Sequence, residues 1–324
     1  MRRPGELGDR GKYFKGSLFV SGIRTAALFC GAILVATPAV AQTTTSGATQ
    51  APAGSPGATR PAAPPPGFSF GPPRRRPLTL GFGMAVGPSY DGSNDILLLP
   101  SGIIRGNVDG FNFATRGLQL GVDMIRDKGK NGLDIQFGPV IGINLNRANR
   151  LIDPQVSLLG KRRVALETGG FVAISKTGIV PKSFDTLTAR LQVVGDVSGV
   201  HRSFVITPSI EYTALATPKL QLGASISGTF VGDGYARSYF AVDAAGSARS
   251  RLPVFANPRG GFKNFTLGAN ANYAFKGLLR RRTWLVFANV SYSQLQGDFA
   301  ASPIVSVAGN RNQVFGALGL GYTF

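Results

Sequence analysis

The chain has 324 residues, with 35 Lys and Arg against 16 Asp and Glu, and a single histidine, cysteine and tryptophan. A net charge of +19 favours anionic partners. One histidine and one cysteine exclude a disulfide and any metal centre built from those two residue types.

Residues 1–41 read as a signal peptide. Arg2, Arg3, Arg10, Lys12, Lys15 and Arg24 make the lead-in basic, Thr25–Thr37 is apolar, and Ala39-Val40-Ala41 supplies an A-x-A cleavage site. The apolar run is too short to span a bilayer as a helix. Bulky Phe29 directly before Cys30 argues against lipidation, and cleavage would remove that cysteine. Residues 42–77 are rich in Pro, Ala, Gly, Ser and Thr and lack periodicity, which predicts a disordered linker.

From residue 78 the hydrophobic period is two. Leu78, Leu80, Phe82, Met84 and Val86 alternate with Thr79, Gly81, Gly83 and Ala85. Leu187, Ala189, Leu191 and Val193 alternate with Thr188, Arg190 and Gln192, and similar segments recur to the C-terminus. The predicted strands lie near 78–87, 95–105, 111–126, 132–144, 164–176, 186–198, 203–214, 219–231, 263–275, 283–295 and 313–324. Each is at least as long as the roughly 9–11 residues that a tilted strand needs to cross a membrane. These are eleven segments, whereas single-chain bacterial barrels have even strand counts, so one strand is merged or missed within 111–126 or 145–163. Pro139 and Pro208 mark expected ladder breaks.

The polar faces are mostly Gly, Ser, Thr, Asn and Gln, while aromatic residues gather at segment ends. A soluble barrel would carry Lys and Glu on its outside, so this bias favours apolar residues facing lipid and small polar ones facing a lumen. The last segment, QVFGALGLGYTF, ends on Tyr322 and Phe324, as a closing strand with an interfacial aromatic end would; these two are assigned to barrel assembly. The predicted fold is therefore all-β: a transmembrane antiparallel up-and-down β-barrel of about twelve strands spanning 78–324. With a periplasmic C-terminus, the long connections 232–262 and 297–312 fall outside and the turn around Gly277–Arg282 inside.

No catalytic constellation is legible. His201 sits at a predicted turn beside Arg202 and reads as an ordinary loop residue. No enzyme, cofactor or metal is predicted. Arg190, Asp134, Asp196 and Glu211 would project into the lumen, either lining a water-filled path or pairing across it.

Several short motifs resemble the MipA/OmpV family of outer-membrane barrels. They begin with a glycine-spaced strand and a Pro-x-Tyr-x-Gly-Ser loop containing Tyr90, Gly92 and Ser93. Arg237-Ser238-Tyr239-Phe240 and Gly260-Gly261-Phe262-Lys263 follow, then Gly297-Asp298 and Ser302-Pro303. Each motif also reads as turn or strand-start chemistry. Asp298 is a candidate cap for backbone amides of a loop folded into the lumen. The resemblance implies a scaffold that joins a lytic transglycosylase to a peptidoglycan synthase in the cell outer membrane. Its implied surroundings are lipid, lipopolysaccharide and the barrel-assembly machinery, with no nucleic acid. A pore for small, anionic solutes and a surface adhesin are the alternatives.

Overall fold

The computed structural model describes residues 78–126, 132–180, 184–277, 279 and 282–324. The predicted signal peptide and linker lie outside the described residues. Twelve strands close into one antiparallel barrel in chain order. They are β1 (Thr79–Pro88), β2 (Ile96–Val108), β3 (Phe111–Arg116), β4 (Gln119–Val122), β5 (Leu133–Asn144) and β6 (Ala165–Thr177), then β7 (Asp185–Asp196), β8 (Phe204–Thr217), β9 (Leu220–Val231), β10 (Gly261–Ala274), β11 (Thr283–Leu295) and β12 (Asn312–Thr323). The segment read as one strand over 111–126 is two, β3 and β4. The count of twelve therefore comes from a short β3–β4 hairpin whose turn, Gly117–Leu118, takes positive φ at its glycine.

Closure runs from Thr79 opposite Thr323 to Val86 opposite Gly316. The two threonine hydroxyls meet at 2.9 Å, and the Phe324 amide donates to the Leu78 carbonyl at 2.8 Å. The alternation predicted from sequence sets which side faces out. Leu80, Phe82, Met84 and Val86 are exposed, as are Leu191, Ile210, Leu222, Ile226 and Leu267, whereas Thr79, Ala85, Arg190 and Gln192 are buried. An apolar exterior over a closed ring of hydrogen-bonded strands is the surface that a bilayer solvates. No helix among the described residues is long and apolar enough to cross a membrane.

The inward glycines of β1 and β12 make room for a large side chain. A Cβ on Gly319 would lie 2.4 Å from Cζ of Phe287, and one on Gly81 would lie 3.0 Å from the same ring. Phe287 thus occupies the lumen beside the seam. Both prolines sit where ladders stop. The β4–β5 register ends at Val140, next to Pro139, and the β8–β9 register skips Thr207 and Pro208.

The two ends of the barrel differ. At the end holding the β1 start and the β12 finish, tight turns such as Asp109–Gly110 and Pro218–Lys219 join the strands. At the opposite end, three long connections carry five helices. These are α1 (Pro154–Leu158), α2 (Asp233–Phe240), α3 (Ala244–Ser250), α4 (Gly297–Ala301) and α5 (Pro303–Ser306).

Candidate functional site: a folded cap over a crossed lumen

The helices begin where sequence provides caps. Asp153 accepts the Val156 amide at 2.8 Å ahead of Pro154, and Asp243 accepts the Gly246 amide at 2.6 Å. Such short helices have little stability alone, so packing must hold them. Two hydrophobic clusters do this. One joins Val231, Tyr235, Tyr239, Phe240, Leu295, Phe299 and Val305; the other joins Tyr90, Leu151, Val156, Val242, Leu252 and Ile304. The connections predicted to fall outside, 232–262 and 297–312, therefore form a cap with its own core.

Hydrogen bonds tie the connections together. Ser302 Oγ donates to the Phe240 carbonyl at 2.7 Å. Arg147, 1% exposed, donates to the carbonyls of Tyr239 at 3.1 Å and Gly160 at 3.0 Å. Burial, with Arg162 nearby, lowers its pKa to about 10. Asp298 accepts the Arg259 amide at 2.8 Å, so it does cap a backbone donor, within the cap rather than in the lumen.

The family-motif residues occupy this end, apart from the barrel-assembly pair. Gly92 has φ +98°, and a Cβ there would lie 2.3 Å from Val305 Cγ2. Ser93 bridges to Gly309, linking the β1–β2 and β11–β12 connections. Phe240 stacks edge-on against Phe299 at 5.1 Å. Tyr90, Tyr239, Ser302 and Pro303 are buried. Gly261 and Gly297 take positive φ at element ends. Phe262 faces outward against Phe230 at 5.0 Å. At the other end, Tyr322 packs against Trp284 and Phe324 at 5.2 and 4.9 Å.

Beneath the cap lies a polar layer that sequence reasoning did not assemble. Lys263 Nζ donates to Asp91 at 2.7 Å and to the Tyr235 hydroxyl at 3.3 Å, and that hydroxyl donates to Asp91 at 3.1 Å. Burial, then the Asp91 charge, pushes the Tyr235 pKa up to about 12. His201 is not an ordinary loop residue: it is 2% exposed, 3.2 Å from Glu167, with its ring against Tyr235 and Tyr239. The tight turn after β7 draws it inward, because Asp196 accepts the amides of Ser198, His201 and Arg202. Asp196 therefore organises that turn.

The remaining lumen charges cross the barrel. Arg116 on β3 pairs with Glu211 on β8, strands that are not neighbours. Gln192 donates to Gln119 at 2.6 Å, and Arg190 donates to Gln192 at 3.1 Å while lying 3.5 Å over the Phe171 ring. Asp134 instead accepts Gln136 along its own strand at 2.9 Å. Among the described residues, no group of three or more His, Cys, Asp or Glu could hold a metal ion.

Comparison with solved structures finds alignments at low identity and low TM-score. A FadL homologue of Pseudomonas aeruginosa aligns with 78% of this chain and 90% of its own, at 11% identity and TM-score 0.31. OmpT of Vibrio cholerae aligns over 76% of each chain at 11% identity and TM-score 0.30. The CymD monoaromatic hydrocarbon channel aligns over 77% and 89%, at 8% identity and TM-score 0.32. No curated protein matches. The family model described as MltA-interacting protein MipA matches residues 80–324, the whole barrel with its cap, and the chain belongs to that family.

Proposed function

We propose that this protein is an outer-membrane scaffold that holds peptidoglycan-remodelling enzymes, including a lytic transglycosylase, at the periplasmic end of the barrel. The observation that carries the reading is membership of a family described by its interaction with such a partner, over residues 80–324. The turns at the end opposite the cap add support. Arg126, Lys176, Lys219, Lys276 and Arg282 are all exposed there, a cationic face suited to an acidic protein surface. The crossed lumen favours this reading over an open pore, because Arg116–Glu211 and the Gln119–Gln192 contact span the interior. The buried cores of the cap likewise leave 232–262 and 297–312 less surface for adhesion.

Cross-linking of envelopes followed by pull-down tests the reading. The wild type should recover a lytic transglycosylase. Lys219→Glu with Lys276→Glu and Arg282→Glu should lose it while keeping the heat-modifiable mobility of a folded barrel. Equal recovery by the charge-reversed protein would remove the basis for a periplasmic docking face. Discrete conductance steps of the wild type in a planar bilayer would favour the pore instead.

A further inference from the structure

The barrel wall is not complete at every level. β2 pairs with β1 from Ile96 to Arg105, yet it pairs with β3 only from Arg105 to Val108. The β3–β4 hairpin is too short to follow β2 upward. On its far side, β4 pairs with β5 only up to Gly142, with the Ile143 amide donating to the Leu118 carbonyl at 3.2 Å. Above the hairpin tip, among the described residues, no strand covers the second edge of β2.

That edge is chemically marked. The Ile104 amide donates to Thr115 Oγ1 at 2.9 Å, so Ile104 points its backbone groups towards β3. By the alternation of an antiparallel ladder, Gly102, Pro100 and Leu98 present theirs to the same edge. Pro100 has no N–H to leave unpaired, which is the position where a strand tolerates proline. Unpaired backbone at membrane depth persists only where it lines a cavity or is covered by protein.

A cavity is present there, of about 360 Å³. Its lining includes Leu99 on β2, Leu118 at the hairpin tip and Ile143 on β5, and reaches inward to Asp91, Tyr235 and Lys263. The top of the frame is the connection after β5. Asn146 there accepts the Asp91 amide at 3.0 Å and donates to its carboxylate at 3.2 Å. The outer rim is apolar: Ile96, Leu98, Leu118 and Ile143 are all exposed. Inside, the Lys263 ammonium has three donors, of which Asp91 and Tyr235 take two. The cation is already neutralised by Asp91, so the remaining donor suits an uncharged oxygen acceptor.

We infer that this gap is a lateral window through which a small amphipathic molecule binds from the bilayer. Its apolar body lies between Leu99, Leu118 and Ile143, and its hydroxyl or carbonyl head reaches Lys263. The window gives the chamber beneath the cap a direct route to the bilayer. It depends on the barrel alone and not on any periplasmic partner.

Single-cysteine labelling in lipid vesicles tests this in a Cys30→Ser background. The probe is N-(1-pyrenyl)maleimide dissolved in the bilayer, itself an apolar body with carbonyl acceptors. Leu267→Cys, on the outer face, sets the fast reference, and Ser225→Cys, facing the lumen behind intact wall, sets the slow one. Leu99→Cys, although inward-facing, should label at least about tenfold faster than Ser225→Cys, because only its site opens to lipid. Leu118→Trp should fill the mouth and slow Leu99→Cys while leaving Leu267→Cys unchanged. Octanol in the vesicles should protect Leu99→Cys selectively. If Leu99→Cys loses heat-modifiable folding, Asn144→Cys takes its place. Labelling no faster than Ser225→Cys, or rates unmoved by both Leu118→Trp and octanol, would overturn the window.

Discussion

The wall and the cap of this protein obey different rules. In the wall, a residue's environment follows from parity: even positions of β9 such as Leu222 and Ile226 meet lipid, and odd ones such as Ser225 and Ser227 face the lumen. In the cap, neighbours in space come from distant parts of the chain. Tyr90 reaches Ile304, Arg147 reaches Tyr239, and Ser302 reaches Phe240. The wall is thus robust to side-chain identity within a class and intolerant of a change of class. The cap depends on particular shapes at particular positions. Glycine shows the contrast: in β1 and β12 it makes room for Phe287, whereas at Gly92 it supplies both a positive φ and clearance for Val305.

The contrast is broken most forcefully at mid-wall. Ile226→Arg puts a charge against acyl chains, at a cost of about 2–4 kcal/mol near the bilayer centre. Ser225→Lys, one residue away, faces the lumen and should fold with near-normal heat-modifiable mobility in the same assay. Equal defects in both would contradict the parity assignment.

A smaller effect separates the two kinds of cap glycine. Gly92→Ala meets Val305 at 2.3 Å and also carries a positive φ, so overpacking of about 1–3 kcal/mol adds to backbone strain. Gly297→Ala has positive φ but nothing within 4 Å of its new Cβ, and should cost less. Limited proteolysis of the β11–β12 connection in detergent reads the difference; Gly92→Ala should be cut faster.

The smallest expected effect is one of pH. The Tyr235 hydroxyl is raised from 10.0 to about 12 in the folded cap. A raised phenol stays protonated in the folded state while the unfolded one ionises, so stability is full below pH 10 and falls as pH rises towards 12. Cap protection should decline over that interval in hydrogen exchange. Tyr235→Phe should flatten part of the decline, leaving the share of Tyr90 and Tyr239, which burial also raises. An unchanged slope would mean that Tyr235 is not shielded as described.

The barrel was legible because lipid imposes one requirement on every strand, an apolar residue at alternate positions, and local sequence suffices to display it. The odd total of eleven called for one more strand within 111–126 or 145–163, and the first of these became β3 and β4, while 145–163 folds into the connection that carries α1. The site was less legible. Tyr235, Tyr239 and Phe240 lie at helical spacing, a signal for the buried face of α2 that strand-centred reading passed over. His201 gave no local sign of burial, because Asp196 and the partners Glu167, Tyr235 and Tyr239 converge on it only after folding.

Sequence by itself determined the class of fold, the face each strand residue presents, the aromatic closing strand and the family. Those properties depend on period, composition and short motifs, which survive in one dimension. Tertiary structure alone decided that three connections fold into a cap, that Arg116 and Glu211 meet across the lumen, and that β2 keeps an open edge. These depend on contacts between residues far apart in the chain, whose register no local pattern encodes.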